Sequence, residues 1–202
     1  IFAFVRKRSD FKTSQLAVTL YAFNPAVIFN AAMWGQYDAI YTFFLVLSLM
    51  LVFASKPKLS ALAFTLGLLT KPQSIALAPL IVFLILKKFG WRSLLTSLLV
   101  AVATIFAVII PFEWSNPITF LTNIYFGAYS GYAYTTVNAF NIWAFGGMWQ
   151  PDTPASFWIG WITFGALAAF ALYFAYTRFG ASGELLVLFS AFIMLFGFFM
   201  LP

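Results

Sequence analysis

The chain has 202 residues, of which 63% are hydrophobic and only 8% charged. Soluble domains carry about a quarter charged residues, so this composition excludes a protein covered by water-facing surface. The net charge of +6 sits in short basic clusters between apolar runs, which fits the positive-inside rule and excludes a nucleic-acid partner.

Residues 1–5 read as the end of an earlier span, and the chain is expected to be an internal fragment, 1–202 forming a single transmembrane domain. A basic connector, Arg6-Lys7-Arg8-Ser9-Asp10-Phe11-Lys12, precedes an apolar run from about Ser14 to Trp34. Asn24-Pro25 interrupts that run, and a kink is expected there because proline removes a helical hydrogen bond. Gly35-Gln36-Tyr37-Asp38 is a polar break before a second run, about Ala39 to Ser55, which Lys56-Pro57-Lys58 closes. Residues 59–86 are apolar but broken by Thr70-Lys71-Pro72-Gln73. Lys87, Lys88 and Arg92 form a connector to a run from about Ser93 to Pro111. Residues 113–155 form a long aromatic-rich connection, and runs at about 156–177 and 184–201 flank Arg178–Gly183.

The apolar runs have the length a helix needs to cross hydrocarbon, and no short alternating strands suggest a barrel. The expected fold is all-α, a polytopic transmembrane bundle with about six membrane-crossing segments, including a short broken hairpin at 59–86. With Arg6–Lys12 in the cytoplasm, the hairpin puts every basic residue except Lys71 on that side. A straight span over 59–86 would expel Lys87, Lys88, Arg92 and Arg178 instead. The legs, 59–70 and 72–86, reach roughly 18 and 22 Å at about 1.5 Å per residue, short of a hydrocarbon core of about 30 Å. Lys71 is therefore expected at the floor of a depression, where irregular backbone needs protein or water around it. The 34–38 turn, the Lys71 tip and the 113–155 connection share the extracytoplasmic side in this topology.

Cysteine and histidine are both absent. This removes thiolate metal sites, the commonest zinc ligand and the commonest general base, and no metal-ligand spacing is present. Asp38 follows a turn rich in polar groups, and reads either as a cap of the next helix or as part of a cluster binding hydroxyls or phosphate. Lys71, with Pro72 and Gln73, reads as a cation facing an anionic group, with snorkelling or a salt bridge to Asp38 as the structural alternatives. In the connection, many aromatics fit an interfacial belt. The stretch Gly127–Tyr134 reads as too flexible and polar for an anchor, and Tyr134, Asn138 and Asn141 are suited to stacking on and hydrogen-bonding a sugar or a polyprenyl headgroup. Gly127 and Gly131 match a small-xxx-small spacing, but lie in the connection and are not read as a helix-pairing face. Asp38, Glu113 and Asp152 are the carboxylates on the working side, and none has an evident partner to raise its pKa.

Asn24-Pro25, Trp34-Gly35-Gln36-Tyr37-Asp38, Leu68-Leu69-Thr70-Lys71-Pro72-Gln73, Pro79 and Asn138-Ala139-Phe140-Asn141-Ile142-Trp143 together resemble the GT-C glycosyltransferases. The pattern is most similar to prokaryotic relatives of the GPI-anchor mannosyltransferases. The resemblance implies transfer of a sugar, mannose or another hexose, from a polyprenyl-phosphate donor to a glycan, lipid or protein acceptor outside the cytoplasm. It implies an integral membrane enzyme, of a prokaryotic plasma membrane before an endoplasmic reticulum. It implies no cofactor beyond the lipid-linked donor and leaves a divalent metal open. The family's catalytic base lies upstream of Ile1, so the fragment alone is expected to be inactive, with Asp38 a weak substitute. A family motif with histidine and arginine would follow Pro202. Substrate binding then falls to Gln36, Tyr37, Asp38, Lys71, Gln73, Tyr134, Asn138 and Asn141. A polyprenyl-lipid flippase or small-molecule transporter is the alternative, and a structural membrane subunit is a third.

Overall fold

The computed structural model describes residues 1–130, 134–137, 141–177, 183–199 and 201. Arg178, Gly131 and Asn138, named above, lie outside them. The described residues are mostly helical, with one isolated bridge between Tyr134 and Pro151 and no strand among them. Two helical stretches, Pro72–Ile109 and Pro154–Thr177, are long and apolar enough to cross a bilayer, and a bent pair over residues 11–33 makes a third if it acts as one span. Most side chains in the two stretches are not covered by protein, as lipid-facing helices require. The chain divides into two compact units, residues 1–43 and 44–202.

In the first unit, α1 (Phe2–Arg6) leads into α2 (Phe11–Ala22), whose start is set by Asp10. The Asp10 carboxylate accepts from the Thr13 N–H at 2.7 Å, satisfying one of the donors that every helix start leaves open. The expected kink is present. Asn24 caps α3 (Pro25–Ile28) by accepting from the Ala26 N–H at 2.9 Å, Pro25 occupies the first turn, and the chain bends by 44°. α3 then widens into a π-helical turn, Phe29–Met33, which the sequence pattern did not suggest.

The second unit is built on the hairpin. α4 (Asp38–Phe53) ends within it, and α5 (Pro57–Thr70) starts with proline in its first turn, where no N–H is needed. A 3-10 turn over Pro72–Leu77 leads into α6 (Ala78–Ile109). Two contacts show that 72–89 runs back along α5. Small residues Ala61, Ala63 and Gly67 give α5 a flat buried face, against which Leu80, Ile81, Leu84 and Ile85 of α6 are buried. At the far end, the Lys88 ammonium donates to the Val52 and Phe53 carbonyls, both at 3.1 Å, placing a cation on the negative end of α4. Ser48 and Ser60 share a buried hydrogen bond of 2.9 Å that joins α4 to α5.

The connector between the hairpin and the next run is shorter than expected: the two helices within α6 meet at a kink on one residue, Gly90, whose φ of 79° suits glycine. Within the 113–155 connection, α7 (Pro117–Ser130) occupies the first half and contains Gly127. α8 (Pro154–Thr177) and α9 (Gly183–Phe199) follow close to their expected bounds.

α8 and α9 pack through small side chains. Ala168, Ala171 and Ala175 recur three and four residues apart on α8, with Gly160 two turns earlier on the same face, opposite Val187, Ser190, Ala191 and Met194 of α9. Without a hydrophobic force between helices in lipid, such close approach supplies the attraction through packing. The Ser190 hydroxyl donates to the Ala171 carbonyl at 3.1 Å. A Cβ added at Gly197 would meet Leu167 at 3.0 Å, so Gly197→Leu is expected to force α8 and α9 apart at that level. Overpacking of this kind costs about 1–3 kcal/mol. The melting temperature of the detergent-solubilised variant should fall, and that of Phe196→Leu, on the exposed face of α9, should not.

Candidate functional site

In the first unit the π-helical turn shapes the 34–38 segment. The Trp34 N–H reaches back to the Phe29 carbonyl at 2.9 Å, and the Gln36 N–H to the Asn30 carbonyl at 3.0 Å. Gly35, at φ 68°, makes the reversal that a side chain would oppose. The Asn30 amide then donates to the Asp38 carboxylate at 3.2 Å. Gln36, Tyr37 and Asp38 are thus held in one turn, with Gln36 and Asp38 half-buried and Tyr37 exposed. Asp38 is the first residue of α4, where its charge also faces the positive end of the helix. Asn30 was missed by sequence reasoning, because only the wider turn brings a residue eight positions away onto Asp38.

In the second unit Lys71 sits at the turn between α5 and the 3-10 segment, half-buried, with extended backbone (φ −149°, ψ 121°). That backbone follows from Pro72, which disfavours helix in the residue before it. Proline has a second effect: it has no N–H, so the Leu68 carbonyl loses its helical partner four residues on. The Tyr125 hydroxyl of α7 replaces it, donating to the Leu68 carbonyl at 3.1 Å. One residue earlier, the Gly67 carbonyl accepts from the Lys71 N–H at 2.9 Å and the Ser74 hydroxyl at 3.0 Å. Burial pushes the Tyr125 phenol upward from its ordinary value, keeping it a donor. Gln73 is exposed beside this turn.

The later connection is tied into a second cluster. Tyr134 pairs with Pro151 and meets the Trp149 ring edge-on at 5.6 Å. The Thr135 N–H donates to the Gln150 carbonyl at 2.8 Å, and the Trp149 N–H to the Thr136 carbonyl at 3.0 Å. Tyr134 stays exposed, as a stacking surface must. Asn141 is buried and occupied within the fold. Its side-chain oxygen accepts from the Trp143 N–H at 3.2 Å, and its amide donates to the Phe199 and Leu201 carbonyls at 3.4 and 3.3 Å. The structure therefore brings Gln36, Tyr37 and Asp38 together, fixes Lys71 next to Gln73, and gives Asn141 the task of closing the end of α9.

The two carboxylates of the connection sit in opposite environments. Glu113 accepts from the Ser115 hydroxyl and from the Ser115 and Asn116 N–H groups, which hold its carboxyl below the usual range. Asp152 is the reverse case, and its partial burial pushes its carboxyl up. The adjacent α8 start does not use it, since Thr153 and Ser156 cap each other reciprocally. One Asp152 oxygen is buried with no donor. Among the described residues no group of three or more carboxylates could hold a metal ion.

No protein-family model, curated protein or solved structure matches the chain. The functional reading therefore rests on side-chain chemistry and the sequence motifs.

Asp152 offers a direct check. A carboxyl whose folded pKa lies above its unfolded value weakens the fold as pH rises through that pKa, because the folded state binds the proton more tightly. Asp152→Asn should raise the melting temperature by a few degrees at pH 7, with the gain shrinking toward zero as pH falls below the carboxylate range. A gain that persists unchanged at low pH would mean the burial has no electrostatic consequence.

Proposed function

We propose that this chain is the membrane core of a GT-C-type glycosyltransferase, moving mannose or another hexose from a polyprenyl-phosphate donor to an acceptor outside the cytoplasm. The observation that carries the reading is the Lys71 turn. A lysine at the tip of an antiparallel hairpin, whose first leg of 14 residues reaches only about 21 Å, offers a cation where a lipid-linked phosphate would lie. Tyr125 and Ser74 support this reading, because they satisfy the broken backbone at the turn and so hold the lysine's position. In the proposed topology about six segments cross the bilayer, the hairpin returns to the cytoplasmic side, and the 34–38 turn and the 113–155 connection are extracytoplasmic.

The decisive assay supplies the purified protein in nanodiscs with radiolabelled polyprenyl-phosphate hexose and follows label into acceptor. Lys71→Met preserves much of the side-chain volume and removes the charge, so donor affinity should fall. Loss of a charge-assisted contact worth about 1.5–3 kcal/mol predicts a decrease of roughly tenfold to a hundredfold. Lys71→Arg should recover part of it, since a cation remains with different geometry. Unchanged donor affinity in folded Lys71→Met protein would remove the phosphate role.

The runner-up, a polyprenyl-lipid flippase, is favoured by the 44° bend after α2 and the Gly90 break in α6, since broken helices suit alternating access. Movement of fluorescent polyprenyl phosphate across proteoliposomes without sugar transfer would select it.

Absence of native cysteine makes the topology directly testable. Cysteines at Lys56 and Arg92 should be shielded from an impermeant thiol reagent added outside intact cells, and those at Tyr37 and Ser115 should react. Outside labelling at Arg92 would turn the hairpin into a straight span.

A further inference from the structure

Asn30 makes two bonds that set the 34–38 turn: its carbonyl accepts the Gln36 N–H and its side-chain amide donates to Asp38. Both arise from the π-helical turn Phe29–Met33, a local widening that α-helices show mostly at functional sites. The side-chain amide of Gln36 has no hydrogen-bond partner among the described residues, although the residue is half-buried. A half-buried amide left open beside an oriented carboxylate has a specific chemistry. The carboxylate accepts hydrogen bonds and repels phosphate, while the amide both donates and accepts. Neighbouring hydroxyls on a sugar ring satisfy both groups; an anion satisfies only the amide.

We infer that Asn30, Gln36 and Asp38 form a hydroxyl-reading subsite for the sugar, in which Gln36 and Asp38 contact the ring and Asn30 is the positioning residue. The inference rests on the glycosyltransferase reading, and it assigns this turn to the sugar and not to the phosphate.

The test measures binding of two short-chain isoprenyl phosphates by titration calorimetry, one bearing a hexose and one bare. The glycosylated analogue should lose roughly twofold to tenfold in affinity in Gln36→Ala, the value of a neutral hydrogen bond, and up to about a hundredfold in Asn30→Ala, where the contact of the charged Asp38 is misplaced. The bare phosphate should bind as in the wild type. Gln36→Ala keeps the test valid if Asn30→Ala fails to fold, because the Gln36 side chain supports nothing else in the turn. Equal losses for both analogues would make the turn a phosphate site or a scaffold and overturn the inference. No loss for either analogue in folded variants would overturn it as well. A wild-type protein that neither distinguishes the two analogues nor transfers sugar would overturn the glycosyltransferase reading itself.

Discussion

A backbone carbonyl that loses its N–H partner inside a membrane has no water to turn to. Leaving such a group unpaired in hydrocarbon costs several kcal/mol. Pro72 takes the helical N–H away from the Leu68 carbonyl, and the Tyr125 hydroxyl donates to it instead. This contact joins α7 to the last turn of α5, where the chain reverses. The same proline extends the backbone at Lys71, so the feature that breaks the helix also presents the cation.

The chain has few charges, and the structure occupies most of those it describes. Asp10 starts α2 and Glu113 organises the turn before α7. Lys88 closes the C-terminal end of α4, and Lys87 lies over the Tyr176 ring at 4.4 Å, linking α6 to α8. Within each unit these groups lie at helix ends, in turns or beside the Gly90 break. Asp152 departs from the pattern, with a buried oxygen that no group answers. Buried polar contacts use neutral hydroxyls, as at Ser48–Ser60, Thr65–Ala61 and Ser190–Ala171, which bring no charge to bury.

The helical class, the kink at Asn24-Pro25 and the reversal at Lys71-Pro72 were legible in the sequence because proline and charge act locally. Lys87, Lys88 and Arg92 marked the break between two helices, but did not show that it is confined to Gly90 with helix on either side. α7 was hidden by its aromatics, which suit an interfacial belt as well as a helix. Of the candidate site, the Gln36–Asp38 turn could be read from its residues, but Asn30 could not, because only the π-helical turn and the reversal at Gly35 bring position 38 back onto it. Asn141 looked like a sugar ligand, and its carbonyl partners on Phe199 and Leu201 depend on long-range folding. The partner of Leu68 was readable in principle: a proline four residues after a helical carbonyl always calls for another donor.

The Asn141 clasp also bears on how the protein is made. Its partners lie 58 and 60 residues further along the chain. While the ribosome is still adding α8 and α9, those carbonyls do not yet exist, and the segment around Asn141 has nothing to close upon. The Asn141 clasp is therefore a late product of synthesis, completed only after α9 has been made. Truncation before Phe199 would leave the earlier hairpin intact while the Asn141 amide loses both acceptors at once.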